Sequence, residues 1–81
     1  MLNCVIIDDE PLAREILAGY MLQLENVNLI GSFNNAFDAM KFLQDHSVDA
    51  LFLDIEMPEM SGIDLLKGLT HPPVTVFTTA F

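Results

Sequence analysis

Residues 4–11 read CVIIDDEP. Cys4-Val5-Ile6-Ile7 is an uninterrupted apolar run, which suits a strand buried on both faces of a parallel sheet rather than one with a solvated side. Three acids follow at once, Asp8, Asp9 and Glu10, and then Pro11, a residue suited to the first turn of a helix. The stretch therefore reads as strand, acidic turn, helix. Like charges crowded at the end of a strand repel, so their grouping calls for a reason.

Working outward, the same unit recurs. The strand extends from Leu2 to Ile7. Leu12, Ile16, Leu17, Tyr20, Met21 and Leu24 then return at helical spacing. Val27 to Phe33 reads as a second strand, and Asn34 or Asn35 can cap a second helix whose apolar face is Ala36, Ala39, Met40 and Leu43. Val48 to Leu53 is a third strand that ends in Asp54. A loop, IEMPEMSG, carries Pro58 and Gly62. Pro58 restricts Met57 to extended backbone, and Gly62 suits a backbone angle that other residues resist. Ile63, Leu66 and Leu69 mark a short third helix, stopped by Gly68 and Pro72-Pro73, before a fourth strand from Val74 to Thr78. Strand and helix in alternation imply an α/β fold, a parallel sheet with helices on both faces.

Eighty-one residues make one domain, 1–81, and such a chain buries only about 60% of the surface its unfolded form exposes. Hydrophobic residues are 52% of the total, too many for a disordered acidic tail. No apolar run approaches the roughly 20 residues of a membrane span, and no basic segment precedes the first strand, so neither a membrane partner nor a signal peptide is expected. Three basic residues against twelve acidic ones leave a net charge of -9. Nucleic-acid backbones are bound by Lys and Arg, so this segment is not expected to bind nucleic acid; cations or a basic partner face suit it better. The single Cys4 falls inside a predicted strand, which fits a small buried hydrophobe in a reducing, cytoplasmic setting.

The strands of a parallel sheet share one carboxyl-terminal edge. Asp8 and Asp9 stand there after strand one, and Asp54 after strand three. With a flavodoxin-like order 2-1-3-4, strands one and three are neighbours and three carboxylates converge at the point where strand order reverses, the usual ligand position in such sheets. Three anions there require protonation or a cation. Mg²⁺ is the natural cation, being hard, oxygen-seeking and commonly held by one or two carboxylates together with a phosphate. His46 and His71 lie in predicted loops without ligand spacing.

Three segments carry a family resemblance. IIDDEP, LFLDIEMPEMSG with its D-x-x-M-P-x-M-x-G spacing at Asp54, Met57, Pro58, Met60 and Gly62, and VFTTAF, taken together and in this order, resemble the receiver domain of two-component response regulators. FTTAF and the compact DIEMPEMSG resemble in particular regulators with a LytTR-type DNA-binding output. The resemblance implies that Asp54 accepts a phosphoryl group from a histidine kinase. It implies that Asp8, Asp9, Asp54 and the backbone carbonyl of Glu56 hold Mg²⁺, that the Thr79 hydroxyl switches toward the phosphoryl group, and that the backbone N–H groups of Glu56 and Ala80 point at it. Such a domain is a signalling switch rather than an enzyme, beyond catalysing its own modification.

In the family a further strand and helices follow, and a Lys at the end of that strand pairs with the acceptor. Here the sequence reaches strand four, so the expectation is a receiver domain lacking the final α-β-α part. Lys41 and Lys67 fall on predicted helices. An apolar edge at Val74 to Phe77 makes self-association the expectation for this chain. Two other readings share the residues. One is a Mg²⁺-dependent phosphatase of the haloacid dehalogenase type, with Asp54 and Glu56 as its acid pair. The other is an interaction module with the same fold and no dependence on phosphorylation.

Overall fold

The computed structural model describes residues 1–57 and 60–78. Seven elements alternate along them: β1 (Leu2–Ile7), α1 (Pro11–Met21), β2 (Val27–Phe33), α2 (Ala36–Asp45), β3 (Ala50–Asp54), α3 (Gly62–Lys67) and β4 (Val74–Thr78). All strand pairings are parallel and the order is β2-β1-β3-β4, as the alternation of strands and helices implies. β1 is central. Cys4, Val5, Ile6 and Ile7 are all buried, which is why this run shows no polar alternation.

The sheet divides the core in two. Val5, Ile7, Leu51 and Leu53 point to one face, where Ala36 and Ala39 of α2 and Leu65 of α3 close over them. Cys4 and Ile6 point to the other, against Met21, with Leu17, Ala18 and Phe52 at its border. Among the described residues, helices thus cover both faces, two on the first and α1 alone on the second. Burial raises the Cys4 thiol above its ordinary pKa, and Asp49 adds to the effect, in keeping with a Cys that acts as a hydrophobe.

Several local expectations shift. Of the two Asn candidates, Asn35 caps α2: its Oδ1 accepts from the Asp38 N–H at 2.8 Å. β3 starts at Ala50 rather than Val48, though Val48 still packs on the first core. α3 begins at Gly62, because Ser61 and Asp64 form a reciprocal capping box that supplies the first orphan amide groups with partners. Leu65, not Ile63, is the buried anchor of α3, and Ile63 is 45% exposed. In a helix of six residues, one position of register decides which side chain faces the sheet. On α1, Leu12, Ile16 and Tyr20 remain exposed, since no second helix lies beside α1 among the described residues.

Candidate functional site

The carboxyl-terminal edge of the sheet is built from two strand ends. Continuation of the β1–β2 ladder by the Asp8 N–H, which donates to Phe33 O at 3.0 Å, carries the acids to the end of the central strand. Asp8 is 6% exposed. Its Oδ1 accepts the Glu10 N–H at 2.9 Å, a turn that leads directly into α1. One turn into that helix, Arg14 Nη1 donates to Asp8 O at 2.7 Å. Arg14 was not singled out from the sequence. Its position, four to six residues beyond three acids and just inside a helix started by Pro11, is the signal that could have found it.

Asp54 closes β3, which pairs with β1 from Cys4↔Ala50 to Ile7↔Leu53. This register places Asp54 opposite the residue after Ile7, and so beside Asp8. Carboxylate oxygens of Asp8, Asp9 and Asp54 all lie within 4.8 Å of one another. The three acids flagged by position are thus brought together by the 2-1-3-4 order. Burial is the main cause that raises the Asp54 pKa above its ordinary value. The Glu56 N–H, donating to Asp54 Oδ1 at 3.2 Å, opposes the rise, and the charges of Asp8 and Asp9 add to it. Glu10 and Glu56 have exposed side chains, so at these positions the backbone is what meets the site.

Gly62 lies close against the end of β3. A Cβ at this position would come within 2.5 Å of Asp54 O and 3.0 Å of the Leu53 side chain. The backbone angle of Gly62 is not in the left-handed region, so the expected reason for glycine is replaced by another: lack of space. Its N–H donates to Ile55 O at 2.9 Å. Thr79 and Ala80, and the Pro58 turn, lie outside the described residues.

The acids form the mouth of a cleft of ≈ 620 Å³. Its walls are apolar on the α1 side, at Ala13, Ile16 and Leu17, and its far side is Ile55, Glu56 and Thr78. The donor set is all oxygen. Two ligands on one Mg²⁺ ion are separated by about 4 Å at most, given Mg–O distances near 2.1 Å, so oxygens already within 4.8 Å fit that ion after a small side-chain adjustment.

Comparison with known proteins agrees with this geometry. The family model of the response regulator receiver domain matches residues 4–80. The chain belongs to this family. As a receiver domain it is 39% identical over its whole length to the transcriptional regulatory protein BtsR of Escherichia coli K12, and 41% identical to an uncharacterized response regulatory protein of Vibrio cholerae. It spans about 35% of the length of each of these relatives. Among solved structures, the response regulatory domain of mrkE from Klebsiella pneumoniae superposes with a TM-score of 0.87 at 36% identity, over 99% of this chain and 68% of that one. The MaeR response regulator bound to beryllium trifluoride gives 0.90 at 28% identity, over 100% of this chain and 69% of that one. No helix among the described residues is long and apolar enough to cross a membrane.

Proposed function

We propose that this receiver domain takes a phosphoryl group from a histidine kinase onto the Asp54 carboxylate, with Mg²⁺ at the acidic mouth, and that the modification alters its affinity for partners. The convergence of three carboxylates at one sheet edge carries this reading. Carboxylates serve as nucleophiles in acyl-phosphate chemistry. Asp8 and Asp54 both line the cleft and each accepts a backbone N–H, from Glu10 and Glu56, but Asp8 is buried in its turn whereas Asp54 is the more accessible of the two. Asp8, Asp9, Asp54 and the Glu56 carbonyl would hold the ion. When bound, Mg²⁺ offsets the negative charge that the acids and an incoming phosphate share.

The remaining work of the chain is positioning, which dominates phosphoryl transfer. The Asx-type turn at Asp8 and the Arg14 hydrogen bond to its carbonyl hold the β1–α1 turn. Gly62 lets the start of α3 pack on the Asp54 carbonyl, and the Glu56 N–H is placed to serve an oxygen of the transferred group. Thr79 and Ala80 keep the switch and backbone roles that family membership suggests. The domain is thus a switch modified once per cycle rather than an enzyme that turns over a separate substrate, and it works in the cytoplasm. The full-length relatives named as transcriptional regulators support a DNA-binding output outside these residues, since the strongly acidic segment itself is unsuited to nucleic acid.

The test is phosphoryl uptake from acetyl phosphate in the presence of Mg²⁺, followed by intact mass. Wild type and Asp45→Asn should take up one group, and Asp54→Asn none. Equal uptake by wild type and Asp54→Asn would remove Asp54 as the acceptor. Repeated hydrolysis of a phosphate ester would favour the phosphatase reading instead.

A further inference from the structure

Thr78 ends β4 and is the register partner of Asp54. Partner residues on adjacent parallel strands lie about 4.8 Å apart and present their side chains to the same face of the sheet. In β3, Leu51 and Leu53 face α2 and α3, whereas Ala50 and Phe52 face α1. By this alternation Asp54 faces α1, and so does Thr78. Both line the same cleft. The Thr78 hydroxyl is buried and has no hydrogen-bond partner among the described residues.

An unpaired buried hydroxyl is costly, whereas an apolar group of the same shape is not. Strand propensity does not explain it, because Val at this position would serve a β-strand equally well. The hydroxyl therefore has its use in a state other than the unmodified chain. We infer that Thr78 is a further hydrogen-bond donor of the acceptor site, unpaired while Asp54 is free and donating to an oxygen of the group that Asp54 carries after phosphorylation. The inference rests on the reading of Asp54 as phosphoacceptor.

The physical logic is direct. A phosphoryl group adds three strong acceptor oxygens at the level of Asp54. Rotation about a single side-chain torsion moves the Thr78 hydroxyl between staggered wells, without a change in the strand. A hydrogen bond to a charged acceptor is about twice as strong as a neutral one, so the state that carries the phosphoryl group gains what the free state lacks.

Beryllium trifluoride with Mg²⁺ is the probe, titrated into wild type, Thr78→Val, Thr78→Ser and Asp54→Asn, with thermal unfolding recorded for each protein before addition. Thr78→Val should unfold a few degrees above wild type without the probe and bind it about tenfold more weakly. Thr78→Ser, which keeps the hydroxyl, should bind within about twofold of wild type on the same grounds. Binding by wild type and Thr78→Val alike, with none by Asp54→Asn, overturns the role of Thr78 and leaves the acceptor in place. Weaker binding by a Thr78→Val protein that is also less stable than wild type overturns it too, since lost packing would then be the cause. Wild type and Asp54→Asn behaving identically removes the acceptor reading, and the inference falls with it.

Discussion

The Cα of Gly62 sits against the Asp54 carbonyl so closely that a Cβ there would come within 2.5 Å of the oxygen. The obstacle is backbone, not the end of a flexible side chain, so it cannot move aside cheaply. The contact ties the start of α3 to the end of β3, one residue from the Glu56–Asp54 hydrogen bond network.

Gly62→Ala should therefore destabilise the domain by about 1–3 kcal/mol, the usual cost of forcing extra volume into a packed site. Chemical denaturation would measure it. The denaturation midpoint should fall, and the Mg²⁺-induced rise in Tm should shrink, because Asp54 moves with the strand end. An Ala variant as stable as wild type would show that the loop relaxes freely and does not position the acceptor.

Asp54 has a folded-state pKa above its ordinary value, chiefly through burial, with the charges of Asp8 and Asp9 adding to the rise. Folding thus favours the protonated form. The cost of holding Asp54 ionised is present at neutral pH and disappears as pH falls through the raised value toward the unfolded value of about 3.9. In chelator-treated buffer, Asp54→Asn should have a higher Tm than wild type at pH 7, by an amount that solvent screening of the carboxylate keeps small. The gap should close toward pH 4. A gap independent of pH would mean that neither burial nor the neighbouring acids disfavour the Asp54 carboxylate in the folded chain. With Mg²⁺ added at pH 7 the order should reverse, since a ligand of the folded state stabilises wild type by mass action.

Among the described residues β4 is an edge strand, and its side chains Val74, Val76 and Phe77 are 73%, 44% and 45% exposed. No charged residue lies between Gly68 and Thr78. On a molecule of net charge -9, this is where a second copy can approach with the least repulsion. The 81-residue chain should self-associate at high micromolar concentration, measured by light scattering, and Val76→Lys should return it toward monomer, since an edge Lys blocks strand pairing. A monomeric mass for wild type at all concentrations would refute this.

Much of the architecture was legible in the chain itself. The unbroken apolar run Cys4–Ile7 identified a central buried strand, the repeated strand–helix pattern implied parallel pairing, and Asp8, Asp9 and Asp54 were marked by standing where strands end. These readings depend on periodicity and on turn residues, which are local properties. Ser61 was legible too, through the S-x-x-D spacing to Asp64, but an apolar count starting at Ile63 hid it. The same count missed Leu65, the buried anchor of α3, although its Leu66 and Leu69 do pack on the first core, because six residues give too few turns to fix a helical phase.

What only the tertiary structure decided are facts about which residues approach one another across a turn, a loop or a strand pair. That the Asp54 carbonyl excludes a side chain at position 62 depends on how α3 returns to β3. That Arg14 reaches the carbonyl of Asp8 depends on the angle at which α1 leaves the turn. That Thr78 stands beside Asp54 depends on the register of β4, which a shift of one residue would reverse by turning its hydroxyl to the other face. Sequence pattern determines which residues form strands and which acids lie at their ends. Strand order and register determine which of those residues meet, because packing between distant segments, not local preference, sets them.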